Sequence, residues 1–262
     1  MELLHAIILG VLQGITEWLP VSSEGQTMLY MLHTLRMDPD TALAYAFYLH
    51  IGSMGAVLIR FRAEVADILT NLRADHLLTR ALVIGTAATA VTGIPLYLLV
   101  RQVSVGLSGT TFTLLIGVAL IATGIVLRQT DREGGRPLDE IADRDMILAG
   151  FAQGCAIIPG ISRSGMTIAA LLARRIEAQT ALTLSFLMSV PAVLGAVMLD
   201  FEGVSGIPPT TGAALVSAAL VTGYVSMDVL IRFASRITFW IFCIALGVVS
   251  IVLAGVALTG LL

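Results

Sequence analysis

Six stretches without a single Asp, Glu, Lys or Arg decide what this chain can become. They are 41–59, 81–100, 102–127, 178–199, 203–227 and 237–262, each between 19 and 26 residues long. About 20 apolar residues cross a bilayer as a helix. A hydrocarbon core offers no water to backbone N–H and C=O groups, so a crossing segment has to pair them internally. The runs therefore predict six spanning helices. Gly93, Pro95 and Pro191 fall inside them, and membrane helices tolerate both residue types.

Charge elsewhere is too sparse for a water-soluble surface. Charged residues make up 13 % of the 262, against about a quarter in a soluble domain. A soluble globular domain and a disordered chain are excluded. The net charge of −3 supplies no basic field for a phosphate backbone, which excludes a nucleic-acid binder. Cys155 and Cys243 sit in apolar runs and form no CxxC pair. They read as free core cysteines, not as a disulfide or a zinc site. The N-terminal run MELLHAIILG has no positive region and does not read as a cleavable signal.

Two further apolar regions are too interrupted to cross. The first runs from Leu3 to about Leu35 and contains Glu17 and Glu24; the second runs from Met146 to about Ala173 and contains Arg163. Their centres, WLPVSSEG at 18–25 and IPGISRSG at 158–165, are rich in Pro, Gly and Ser. Each half is too short to span, which predicts a re-entrant hairpin whose irregular tip is shielded by protein or water.

The two broken regions resemble each other at an offset near 140. Gln13-Gly14 matches Gln153-Gly154, Ser22 matches Ser162, and Gly25 matches Gly165. Downstream, Thr41-Ala42-Leu43 matches Thr180-Ala181-Leu182, and Phe47 matches Phe186. The expected fold is an all-α integral membrane protein of two inverted repeats, each one re-entrant helical hairpin plus three transmembrane helices. It forms a single membrane domain over 1–262, with repeat one at about 1–128, a charged connector at 129–145 and repeat two at about 146–262. Loops 60–80, 128–145, 174–177 and 232–236 carry most of the arginines, while Arg36 and Arg101 fall on the other side. The arginine-rich side is expected to be cytoplasmic, with both termini outside.

An ionisable residue at membrane depth marks a functional site by default. Glu17, Glu24 and Arg163 qualify. Around them lie Ser22, Ser23, Gln26, Ser162, Ser164 and Thr167. Glycine- and serine-rich tips and helix N-termini suit anions, and a guanidinium fork matches phosphate oxygens. A Ser near a carboxylate is a nucleophile–base candidate. The set suggests a phosphorylated ligand presented from the membrane. Plainer readings stand beside it. Glu17 and Arg163 can form a structural ion pair between the hairpins, Glu24 can flank a tip at the water interface, and the serines can satisfy tip backbone. His50 reads as either a satisfied core histidine or a catalytic one. His5, His33 and His76 read as surface or interfacial groups, and no metal motif with ligand spacing is present.

Gln13-Gly14-Ile15-Thr16-Glu17-Trp18-Leu19-Pro20-Val21-Ser22-Ser23 resembles the (E/Q)GxTEfLPVSS segment of the undecaprenyl-diphosphatase, or bacitracin-resistance, family. Pro159-Gly160-Ile161-Ser162-Arg163-Ser164-Gly165-Met166-Thr167 is similar to its PGxSRSGxT segment. Weaker likenesses lie at Leu49–Ser53 and Ser185–Pro191. The resemblance implies a membrane hydrolase that converts polyprenyl diphosphate to polyprenyl phosphate and inorganic phosphate, recycling a lipid carrier of envelope glycan assembly. It implies catalytic roles for Glu17, Ser23 and Arg163, and substrate contacts from Gln13, Ser22, Gln26, Ser162, Ser164, Thr167 and His50. It also implies a divalent cation, Mg²⁺ or Ca²⁺, for which Glu17 and Glu24 are the candidate ligands. The expected partners are the polyprenyl diphosphate and membrane lipids, in a multi-pass cell-membrane protein; a homodimer is left open.

One departure bears on the chemistry. The family usually continues VSSTGH, and its His is thought to serve as acid or base. This chain reads VSSEGQ, with Gln26 at the His position, and an amide takes up no proton near neutral pH. Three readings follow. Glu24 or Glu17 takes the base role or helps hold a cation that activates water. His50 substitutes. Or hydrolysis is lost, and the chain is a polyprenyl-phosphate transporter or flippase.

Overall fold

The computed structural model describes residues 2–19, 21–73, 76–104, 109–129, 135–233 and 239–258. Pro20, part of the connector (130–134) and most of the arginine-bearing loop after residue 233 lie outside them. Among the described residues the structure is helices joined by turns and loops, with one isolated bridge between Arg136 and Ile176 and no strand. Five helices are long and apolar enough to cross a membrane. They are α3 (Pro39–Arg60), α5 (Leu77–Ser104), α6 (Gly109–Gln129), α9 (Ala178–Leu199) and α11 (Pro209–Phe233). The last apolar run forms α12 (Phe239–Leu258), which packs along α6.

One expected boundary moves. The charge-free runs break at Arg101, which suggested that a span ends there, yet α5 continues through it to Ser104. Arg101 is held in place by Asp200 at 3.2 Å and lies over the Tyr97 ring. A paired and half-exposed arginine does not end a helix.

Both interrupted regions fold as helix–break–helix. The first pairs α1 (Leu3–Thr16) with α2 (Ser23–His33); the second pairs α7 (Asp143–Gly154) with α8 (Arg163–Ala173). Among the described residues four short helices complete the order: α4 (Arg62–Thr70), α10 (Phe201–Ser205) and two 3₁₀ turns, Leu138–Glu140 and Cys155–Ile157. The hairpins do not pack chiefly on their own sequence neighbours. α1 lies along α11, and α7 lies along α5. Gly14 meets Thr222 and Gly223, while Gly154 meets Thr92 and Gly93. Close backbone approach of this kind is how membrane helices associate without a hydrophobic driving force. It also explains the recurring Gln-Gly pair: the glycine seats the helix end on its neighbour, and the glutamine beside it is buried inside.

At the end of the bundle that carries the connector, Asp145 is wholly buried. Its carboxylate accepts hydrogen bonds from Arg174 at 2.7 Å, Arg136 at 2.9 Å and the Ala142 N–H at 3.0 Å. The connector is thereby fastened to both arms of the second hairpin. Burial alone would raise the Asp145 pKa, but the bonds from Arg174, Ala142 and Arg136 outweigh it and hold it below its ordinary value. A depressed folded-state pKa contributes stability above the unfolded-state value, and that contribution is lost as pH falls through the folded-state value. Asp145→Ala is therefore expected to destabilise the protein by about 1–3 kcal/mol. Arg136→Ala or Arg174→Ala should each cost less, since one arginine remains. Thermal unfolding in detergent checks the ranking, and the difference between native and Asp145→Ala should shrink in acid below about pH 4.

Candidate active site

The breaks of the two hairpins meet inside the bundle. At the first, Val21 donates its N–H to the Leu19 carbonyl at 2.8 Å, and Ser22 then adopts the left-handed conformation, φ 55°. From there its hydroxyl caps α2 by accepting from the Gly25 N–H at 3.2 Å. At the second, Gly160 has φ 97°, and a Cβ there would lie 2.7 Å from the Ile116 carbonyl oxygen. Only glycine fits that turn. Ser162 caps α8 as Ser22 caps α2, accepting from Gly165 at 3.1 Å. Two capped helix N-termini, α2 and α8, thus begin at the same place.

Glu17 is the hub. One carboxylate oxygen forms an ion pair with Arg163 of the other hairpin. The other accepts from Ser23 Oγ at 2.5 Å and Gln13 Nε2 at 2.8 Å, and lies 3.3 Å from His50 Nε2. Arg163 also donates to the Ser185 carbonyl at 3.0 Å, which ties it to α9. His50, on α3, faces acceptors with both ring nitrogens: Nδ1 lies 2.6 Å from the Ala46 carbonyl, and Nε2 faces Glu17. A carbonyl only accepts, so Nδ1 carries a hydrogen. Glu17 itself is 5 % exposed.

These groups stand at one end of a cavity of about 390 Å³. Glu17, Ser22, Ser23, Glu24, His50, Ser162 and Arg163 line its polar end. From there it extends between α5 and α9 along Ile94, Ala196, Met198 and Leu199. That wall leads toward the end of the bundle where Tyr97, Arg101 and Asp200 join the two helices. Glu24 is also buried, and its Oε1 has no hydrogen-bonding partner among the described residues.

Not every residue singled out in the sequence reaches the cavity wall. Gln13 lies behind Glu17 and bonds to it. Gln26 turns back to the Val21 carbonyl at 3.2 Å. Ser164 donates to the Leu19 carbonyl at 3.2 Å, linking the two tips, and Thr167 donates to the Arg163 carbonyl one turn back at 2.8 Å. These four brace the tips. Two residues not singled out as site groups do stand here. Gln153 lines the cavity and bonds Thr89 at 3.1 Å; Ser185 receives Arg163. The recurrence of Gln-Gly was a signal for the first. For the second, the weak family likeness at Ser185–Pro191 marked the segment but not the role, because its contribution is a backbone carbonyl.

A cavity with a guanidinium, two helix N-termini and a carboxylate-bound serine can hold a phosphorylated group and attack it. Comparison with known proteins agrees with that chemistry. The family described as "Bacitracin resistance protein BacA" matches residues 6–252. A protein from Methanothrix thermoacetophila named undecaprenyl-diphosphatase is 46 % identical over 255 residues, covering 97 % of each chain. Proteins of the same name from Methanopyrus kandleri and Haloarcula marismortui are 40 % and 39 % identical, covering at least 95 % of each chain. With the match spanning nearly the whole chain, this protein belongs to the BacA bacitracin-resistance family.

Proposed function

We propose that the chain is a membrane phosphohydrolase that removes the terminal phosphate of a polyprenyl diphosphate, of undecaprenyl type, and so recycles the lipid carrier of envelope glycan assembly. The observation that carries this is the continuity of one cavity: a phosphate-suited end with a serine bonded to a carboxylate, and an apolar corridor between two spanning helices. The diphosphate occupies the polar end, facing Arg163 and the N-termini of α2 and α8. The isoprenoid chain lies along Ile94, Met198 and Leu199. The names of the similar proteins favour hydrolysis over a transporter or flippase without it.

Phosphoryl transfer asks mainly for positioning and charge stabilisation. Ser23 Oγ attacks the terminal phosphorus, and its proton passes to the Glu17 oxygen that it already faces at 2.5 Å. The bond from that phosphorus to the bridging oxygen breaks, and polyprenyl phosphate leaves with the electron pair. Water then attacks the phosphoserine, releasing inorganic phosphate and restoring the hydroxyl. Arg163 offsets the charge of the transferring group, while Gln13 and His50 keep Glu17 aimed at Ser23.

A divalent cation, Mg²⁺ or Ca²⁺, belongs to this reading. Both oxygens of Glu17 are occupied by protein partners, whereas Glu24 presents a buried oxygen with none. Glu24 fits an oxygen-seeking cation, with the diphosphate as co-ligand. When bound, such an ion neutralises phosphate charge.

We further propose that the chain is an inverted repeat, about 1–128 and 146–262, joined by the connector 129–145. The exchanged packing of α1 on α11 and α7 on α5 supports it. The arginine-rich end then faces the cytoplasm in a cell membrane, and the cavity's corridor leads outward, toward Arg101 and Asp200.

Phosphate release from farnesyl diphosphate by the detergent-purified chain tests the enzyme reading. Ser23→Ala, Glu17→Gln and Arg163→Ala are each expected to lower the rate by about 10² or more. No release from the native chain with any divalent cation overturns hydrolysis and leaves transport. Gln26→His separates two other ideas. Gln26 faces the Val21 carbonyl and not the cavity, so the substitution should leave the rate near native. A large gain would mean that proton transfer runs through position 26.

A further inference from the structure

Glu24 has an unusual position for a carboxylate. It is 8 % exposed and lines the polar end of the cavity, one turn or less from the α2 N-terminus. Its Oε1 is one of three buried side-chain polar atoms without a partner among the described residues. Leaving a buried carboxylate oxygen unsatisfied is costly. Neither nearby cationic group makes a hydrogen bond or ion pair to it: Arg163 bonds to Glu17 and the Ser185 carbonyl, and His50 faces Glu17 and the Ala46 carbonyl. A residue held this way is complete only when something cationic or hydrogen-donating enters the cavity.

The surroundings limit what that can be. A hard divalent cation takes six or more oxygens. Among the described residues no three His, Cys, Asp or Glu side chains converge as a cage. Glu17 has its two oxygens engaged by four side chains. The protein therefore offers one free carboxylate, far short of a coordination shell. The remaining oxygens have to arrive with the ligand or as water, and Mg²⁺ is commonly bound by one or two carboxylates plus phosphate oxygens.

We infer that Glu24 is the protein's single carboxylate anchor for a divalent cation that binds together with the diphosphate, so that the site takes a cation–diphosphate complex and holds the cation alone only weakly. This rests on the diphosphate reading of the cavity. It adds an order to the binding and removes Glu17 from the ligand set. Linkage makes the coupling reciprocal: whatever factor the diphosphate adds to cation affinity, the cation adds to diphosphate affinity.

The test is a binding measurement on the full chain in detergent, with Mn²⁺ and a farnesyl methylenediphosphonate that cannot be hydrolysed. Calorimetric titration with the phosphonate, without and with Mn²⁺, should show a gain of at least about tenfold with the ion. Glu24→Gln and Glu24→Thr should lose that gain, and without Mn²⁺ they should bind the phosphonate at least as tightly as the native chain, because a carboxylate that repels it is gone. Glu24→Asp, which keeps a carboxylate, should retain part of it. Mn²⁺ alone, followed by its electron paramagnetic resonance signal, should bind the native protein only weakly and Glu24→Gln no better. A native chain that shows no gain, or tight Mn²⁺ binding without the phosphonate, overturns the inference before any variant is made. A full gain in Glu24→Gln also overturns it. None of these readouts needs turnover, so a failure of hydrolysis is scored separately by phosphate release.

Discussion

Everything at the centre of this protein depends on Glu17 and Arg163 facing each other across the two hairpin tips. In a medium that penalises lone charges, each gives the other a reason to be there. The pair joins segments 146 residues apart. It also sets the position of Ser23, His50 and Gln13, which all converge on the same carboxylate. Removing one partner from a buried pair leaves the other uncompensated, which is far costlier than never having built the pair. The plain structural reading and the functional reading of these residues are therefore not rivals. The same contact closes the fold between the hairpins and orders the groups around the cavity.

The helices were readable because a bilayer leaves a strong trace in sequence. Long charge-free runs became helices, and the two regions broken by Pro, Gly and Ser became helix–break–helix. Arg101 misled, since charge reports on solvation and pairing and not on where a helix stops. At the candidate site, residue types pointed to Glu17, Ser23 and Arg163, but orientation did not follow from type. Thr167 lies one turn after Arg163 and bonds back to its carbonyl, and Ser164 reaches across to Leu19. Hydroxyls near a helix start have local carbonyls to satisfy first. The role of Ser185 escaped for the opposite reason: its segment was marked by likeness, but its carbonyl and not its side chain meets Arg163.

The two hairpin tips differ at the candidate site. At the matched offset, Ser22 faces Ser162 as equivalent helix caps and Gly25 faces Gly165 as equivalent cap partners. Between them, Ser23 stands opposite Arg163, so one tip offers a hydroxyl and the other a guanidinium. Glu17 corresponds to Ile157, an apolar residue. Shared positions serve the backbone of the turn, and the unshared ones carry the differing side chains. A symmetric pair of tips would have placed two like groups together and left each without a complement.

Trp18 shows how far such a site reaches. It follows Glu17 directly, is almost wholly buried, stacks edge-on against Phe186 and donates its indole N–H to the Gly223 carbonyl at 2.8 Å. A Cβ at Gly223 would come into van der Waals contact with that indole at 3.4 Å. The carboxylate is thus mounted on a bracket whose other end is bolted to α11, some two hundred residues along the chain. Drift at a lipid-spanning helix with no reactive group of its own is transmitted to the aim of Glu17. A substitution at Gly223 therefore bears on geometry at the hairpin tip through Trp18.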